Sequence, residues 1–231
     1  MIIVGLSGKA RTGKSELTRR LYDAAQAVGW TVKVLPFAGP LKKEAEDSGF
    51  GKNTNPEKYR AFCQEHGAKM RAENPDHWVN KWFEQVKSLR AEEENMTNPL
   101  LVLVDDCRYQ NEIAILNKHS GVVCYVKHGD REIDDPKGEW RQHESELIAN
   151  ILENTPDDDI KKQGYDYVIY NDGDVDKLDN WAATFISKVC IAEDCPCESC
   201  TSTIENRQAD SAKIDDELRR LLDDIEDNLD D

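Results

Sequence analysis

No apolar run in the 231-residue sequence approaches the roughly 20 residues needed to span a bilayer. The N-terminus also lacks the charged-then-apolar pattern of a secretory signal, because Met1 to Val4 reads as a core strand. These two absences predict a soluble cytoplasmic protein. Positive charge is scarce as well. The formal net charge is −16, which leaves no net field to attract nucleic acid and disfavours a polynucleotide substrate. Residues 190–231 hold 14 acidic side chains against 4 basic ones (Arg207, Lys213, Arg219, Arg220), so the acidity is mostly a property of the tail. Of the seven cysteines, Cys63, Cys107 and Cys124 are scattered and four cluster late, the pattern of a reducing compartment. In a cytosolic chain the sequon Asn95-Met96-Thr97 carries no meaning. At 39 % hydrophobic, the chain can bury one sizeable α/β domain with appendages.

What is present is organised around Gly8-Lys9-Ala10-Arg11-Thr12-Gly13-Lys14-Ser15, a full match to G-x-x-x-x-G-K-[ST]. The β-branched run before it predicts a buried strand. Leu17, Leu21, Ala24, Ala25 and Val28 after it have helical spacing, so the order is strand, loop, helix. Gly8 and Gly13 allow the tight turns that point successive N–H groups into a concave anion site, and the helix N-terminus adds partial positive charge. Lys14 can then reach the β- and γ-phosphates of a nucleoside triphosphate, and the Ser15 hydroxyl can ligate Mg²⁺. Lys9 and Arg11 add charge to the loop.

Along the chain, Thr31 to Leu35 predicts a second strand closed by Pro36, after which Phe37 to Lys42 leaves the sheet. Helices are expected over about 56–73 and 75–92, broken at Asn74-Pro75. Leu100 to Val104 is an aliphatic run ending in Asp105-Asp106, the profile of a central parallel strand that delivers carboxylates at its C-terminal end. A helix over about 110–118, a strand over 122–126, a polar stretch over 129–163, a strand over 165–170 and a helix over 175–189 complete the pattern. Five strands alternating with helices predict the three-layer α/β/α P-loop NTPase fold with a five-stranded parallel sheet. It would carry a helical acceptor-binding insertion (about 37–95) and a lid (about 129–163), the whole domain spanning 1–189.

Base-specific GTPases carry an Asn-Lys-x-Asp box, which Tyr170-Asn171-Asp172-Gly173-Asp174 does not fit, and the further motifs of large mechanical ATPases are missing. A small kinase remains. An ordered set of motifs then resembles the phage deoxynucleoside monophosphate kinases over about residues 1–189. The set is Phe37-Ala38-x-Pro40-Leu41-Lys42, Gln64-x-x-Gly67-x-x-x-Arg71, Pro75-Asp76-x-Trp78-Val79, Asp106-x-Arg108-Tyr109-x-Asn111-Glu112, His143-x-Ser145-Glu146 and Asp166-Tyr167-x-Ile169-x-Asn171-Asp172-Gly173. Gly39 and Ala68 depart from the family pattern, which more often has polar side chains there. The resemblance implies transfer of the ATP γ-phosphoryl group to the 5′-phosphate of a deoxynucleoside monophosphate (dNMP), with ATP and Mg²⁺ as cofactors. It would act in the host cytoplasm if the gene is a phage's.

The residue types suit that chemistry. Two polyanions must be brought together, so catalysis is mostly positioning and charge neutralisation. Arg71 and Arg108 are the candidates to clamp the acceptor phosphate through paired hydrogen bonds, with Lys42 on the same side. Asp106 would orient Arg108 or hold Mg²⁺ through water, with Asp105 as the alternate or simply a helix cap. Gln64 and Trp78 can frame the base, although a core aromatic packing two helices accounts for Trp78 equally well. Arg131 and Arg141 would swing onto the phosphates as the lid closes, or form a solvated charged surface. His143 and Glu146 read as lid or hinge residues, two ligands being too few for a metal site.

Beyond the kinase domain, Cys190, Cys195, Cys197 and Cys200 supply enough ligands for one Zn²⁺ but lack the paired CxxC arrangement, so a reduced cysteine-rich linker over 190–206 is the other reading. Ile214, Leu218, Leu221, Leu222, Ile225 and Leu229 lie at helical spacing among acidic residues over 207–231. Such a helix should dock on its own kinase domain, a second copy or another protein. Within the kinase class the alternative is another small acceptor, such as dephospho-coenzyme A. Outside it, the alternative is a nucleotide-binding regulatory or scaffolding protein.

Overall fold

The computed structural model describes residues 1–128 and 144–192. The chain divides into two compact units, Met1–Thr184 and Phe185–Asp231. Of the second, only 185–192 are described, as the last turns of a helix.

The elements follow in the order β1 (Ile2–Ser7), α1 (Lys14–Ala27), β2 (Thr31–Val34), α2 (Gly39–Asp47), α3 (Pro56–Glu73), α4 (His77–Glu93), β3 (Leu100–Cys107), α5 (Gln110–Lys118), β4 (Val122–Lys127), α6 (Glu144–Glu153), α7 (Asp157–Lys161), β5 (Tyr167–Tyr170) and α8 (Val175–Ala192). The five strands form one sheet in the order β2-β3-β1-β4-β5, and every pairing is parallel. This is the α/β P-loop fold that the sequence predicts. Leu100 to Val104 are all completely buried, as a central strand covered on both faces requires. β1 lies between β3 and β4: the chain leaves it toward β2 on one side and, after β3, crosses to β4 on the other, which opens a crevice at the carboxyl ends of the strands.

Three differences from the sequence reading bear on the site. β3 runs three residues further than Val104 and carries Asp105 and Asp106 inside the strand, with Cys107 paired to Ser7 past an irregularity in β1. An additional helix, α2, starts at Gly39-Pro40, a pair that reads as a loop. Proline is well tolerated in a first helical turn, and Leu41 and Ala45 supply the buried face. The polar stretch expected to be a lid over 129–163 is, in its second part, built into the core. Leu152 and Ile160 belong to the main apolar cluster, the Tyr125 hydroxyl donates to Ala149 O at 2.9 Å, and Lys127 Nζ donates to Thr155 O at 2.8 Å.

The insertion α2–α4 is fixed to the sheet by aromatic packing. Trp82 is completely buried, its Nε1 donates to Leu35 O at 2.8 Å, and its ring lies 4.6 Å from that of Phe37. Among the described residues no helix is long and apolar enough to cross a membrane.

Candidate active site

The loop between β1 and α1 has the backbone its sequence demands. Gly8 has φ 140° and Gly13 φ 96°, both in the region where a side chain is strained, and Arg11 also takes a left-handed φ of 67°. A Cβ at Gly8 would run into Val126 O, and one at Gly13 into the Asn171 side chain. Thr12 works inside the loop: it is completely buried, and its hydroxyl donates to Lys9 O at 2.9 Å. Lys14 Nζ donates to Gly8 O and Lys9 O, both at 2.7 Å, which holds the ammonium against the loop. Ser15 stands exposed in the first turn of α1. That suits a hydroxyl ligand for Mg²⁺ beside a bound triphosphate.

A clamp from the far end of the domain completes the loop. Asn171 Nδ2 donates to Thr12 O at 2.9 Å, while Asn171 N donates to Lys127 O at 2.8 Å, extending the β5–β4 contact. The Asn171-Asp172-Gly173 run of the sequence thus packs directly on the phosphate loop. Asp166, from the same run, serves the sheet, its carboxylate accepting from Val123 N at 2.7 Å.

Next to the loop lies a cavity of about 500 Å³. Ala10 and Arg11 line it from the loop, Phe37 and Ala38 from the β2–α2 turn, Arg60, Gln64 and Arg71 from α3, and Asp106, Arg108, Tyr109 and Glu112 from the β3–α5 junction. Four guanidinium groups from three parts of the chain therefore converge on one space. Arg60, Gln64 and Arg71 occupy one face of α3 because residues 4 and 11 apart return to the same side of a helix. Arg71 Cζ sits 4.5 Å from the centre of the Tyr109 ring, a cation–π contact that holds it in place. A second lobe of about 320 Å³ adjoins, sharing Ala38, Leu41, Arg60, Cys63 and Gln64 and adding Lys42, Lys52, Asn53, Pro56 and Tyr59.

The cavity's two carboxyl groups are engaged with backbone. Asp106 accepts from Phe37 N at 2.7 Å and Ala38 N at 3.0 Å, one on each oxygen, so it ties the β2–α2 turn to β3. Surrounding protein raises its pKa by desolvation, opposed by those two bonds and by the Lys42 charge. Glu112 is 3 % exposed and accepts from Arg108 N and Tyr109 N at 2.7 and 3.0 Å. Desolvation pushes its carboxyl up to about 7 against those bonds.

The expected acceptor residues Gln64, Arg71 and Arg108 come together here, and Lys42 lines the second lobe. Trp78 does not join them. It is 2 % exposed, its Nε1 donates to Gly67 O at 3.2 Å, and its ring packs against His77, so it is the core aromatic between α3 and α4. Asp106 has a role that the sequence did not suggest, as the tether of the β2–α2 turn. Arg131, Arg141 and His143 lie outside the described residues, as do Cys195, Cys197, Cys200 and the acidic segment 207–231; the side chains of Glu146 and Cys190 are likewise outside them. Among the described residues no cluster of three metal-ligating side chains occurs. Arg60, Tyr109, Glu112 and the Asn171 clamp carry no role in the sequence reading. Arg60 was within reach, because it lies on the same helical stripe as Gln64 and Arg71.

A glycine loop of this geometry, at the carboxyl edge of a five-stranded parallel sheet, defines the α/β P-loop fold. No protein-family model and no curated protein matches the sequence. Among solved structures, the chain is similar to shikimate kinase from Acinetobacter baumannii in complex with shikimate, at 14 % identity and TM-score 0.43, over 83 % of this chain and 94 % of that one. It is also similar to dephospho-CoA kinase from Campylobacter jejuni, at 16 % identity and TM-score 0.43, over 83 % of this chain and 98 % of that one. A third likeness is to TT1252 from Thermus thermophilus, at 16 % identity and TM-score 0.43, over 81 % and 97 %.

Proposed function

We propose that the protein is a deoxynucleoside monophosphate kinase, moving the ATP γ-phosphoryl group to a dNMP to give a dNDP for DNA precursor synthesis. One observation carries the reading: Ala10 and Arg11 of the donor loop open into the same cavity as Arg60, Arg71 and Arg108. A phosphate held by those guanidinium groups stands next to the loop that would cradle a triphosphate, the adjacency that in-line transfer needs. The second lobe extends the cavity by enough room for a nucleoside, and its Lys42, Asn53 and Gln64 can reach the polar edge of a base.

In this reading the N–H groups of the loop and Lys14 bind the donor phosphates. Mg²⁺, which neutralises the β- and γ-phosphate oxygens when bound, would sit on the Ser15 hydroxyl. Asp106 keeps a second lone pair on each oxygen and can assist through water. Arg108 and Arg71 hold the acceptor phosphate, and Arg11, at the boundary, faces the charge that develops on the transferred group. Asp106 shapes the acceptor pocket by fixing the Phe37-Ala38 turn.

The test is a coupled ADP-release assay with ATP, Mg²⁺ and each of the four dNMPs, run beside Lys14→Ala and a control without acceptor. Turnover that requires a dNMP and disappears in the variant is the expected result, and it also yields the base preference. ATP-binding protein that turns over dephospho-coenzyme A but no dNMP moves the assignment to another small acceptor. ATP binding with no acceptor-dependent turnover moves it to a nucleotide-binding regulatory protein.

A further inference from the structure

The first turn of α5 contains a carboxylate whose placement exceeds what a helix cap needs. Glu112 is the third residue of that helix and reaches back to two N–H groups that the helix cannot satisfy itself, those of Arg108 and Tyr109. A cap with that task alone does it in water. Here the carboxylate lines the cation-rich cavity and is 3 % exposed. Such burial is costly, so the residues it holds are informative. Arg108 lines the cavity from the β3–α5 junction. Tyr109 supplies the ring on which Arg71, from α3, rests at 4.5 Å.

We propose that Glu112 is the positioning residue of the phosphate-binding pocket, setting through one oxygen the turn that aims Arg108 and the aromatic platform that seats Arg71. Both N–H bonds end on the same oxygen, Oε2. A neutral amide oxygen can therefore take its place, whereas an apolar side chain of similar volume cannot. The groups that act on Glu112 electrostatically include Arg71 on α3, Asp106 and Cys107 on β3, and Tyr165 just before β5. Arg71 alone among them carries positive charge, so the carboxylate also draws that guanidinium toward the platform. A carboxyl pKa pushed up to about 7 fits a group kept there for what it holds.

The inference rests on the acceptor reading only in requiring that the cavity take a phosphate. It is tested on the full chain by isothermal titration with dTMP, dGMP and inorganic phosphate, with ATP binding measured in parallel. Glu112→Leu is expected to weaken all three probes about tenfold or more with ATP affinity held within about twofold, and Glu112→Gln to restore affinity to within about threefold of the natural protein. Tyr109→Leu is expected to weaken the probes about fivefold, and Tyr109→Phe to leave them unchanged. This pair carries the test if Glu112→Leu does not fold. Unchanged probe affinity in Glu112→Leu or Tyr109→Leu overturns the proposal, and so does Glu112→Gln behaving like Glu112→Leu. A natural protein that binds none of the probes overturns it together with the acceptor reading. Inorganic phosphate binding that depends on Glu112, with no dNMP turnover, upholds the positioning role and removes only the dNMP assignment. Normal dNMP turnover in Glu112→Leu does the reverse.

Discussion

The glycine loop is built from eight consecutive residues, Gly8 to Ser15, and in the proposed reading it binds the donor through its backbone. The pocket beside it is built from side chains on the β2–α2 turn, α3 and the β3–α5 junction, up to about 75 residues apart in sequence. The first is a local conformation that two glycines and a helix start can specify. The second exists only once the helical insertion has docked on the sheet. In the proposed reading, specificity for the donor is thus written in a motif, and specificity for the acceptor in an assembly. Changes on the two sides should accordingly have different signatures.

The largest effect is expected from Lys14→Ala, which removes the ammonium that would reach the donor phosphates and leaves the loop's N–H groups in place. Acceptor-dependent turnover should fall about 10²- to 10³-fold while ATP still binds, as read by a coupled assay and by titration. Arg108→Ala should cost about 10²-fold in kcat/KM for the acceptor with the KM for ATP within about twofold. Equal losses in both constants would break the comparison, because the two sides would then be one cooperative unit.

Glu112 sharpens the comparison through pH. Its folded value of about 7 lies above the ordinary 4.5, so within that window the native protein holds a proton that the unfolded chain has released. Native stability must therefore fall as pH rises from about 4.5 to 7 and remain lowered above it. The full shift corresponds to at most about 3 kcal/mol. Glu112→Gln should raise Tm relative to the natural protein at pH 8 and lose that advantage at pH 5, measured by calorimetry. An advantage of equal size at both pH values would show that the carboxyl is not strained by burial. Smaller still is Asn171→Ala, which removes the donor to Thr12 O at a cost of about 1 kcal/mol. It should weaken ATP several-fold and leave acceptor binding unchanged. That result would show that the donor loop depends on one distant side chain.

The same contrast explains what was legible in the sequence. The strand–loop–helix, the central strand at Leu100 and the bounds of α3 follow from periodicity and from Gly and Pro placement. α2 escapes because Gly39-Pro40 is a loop signal and a helix start at once. Trp78 illustrates the limit for single residues: an aromatic on an amphipathic helix has one sequence signature whether it faces a ligand or a neighbouring helix. Only the bond from its Nε1 to Gly67 O decides. Asp106 and Glu112 are visible as acidic residues near a strand end. Their attachment to the N–H groups of Phe37, Ala38, Arg108 and Tyr109 depends on backbone geometry, which no residue type announces.

The bond from Asn171 to Thr12 spans 159 positions and fills the space over Gly13. At about 5–20 residues per second a ribosome makes the loop within the first few seconds of synthesis, but its lining is complete only after β5 has emerged. ATP capture by nascent chains halted before and after residue 171 would then serve as a clock for synthesis, strengthening several-fold near the end of the domain rather than reaching full strength at its beginning.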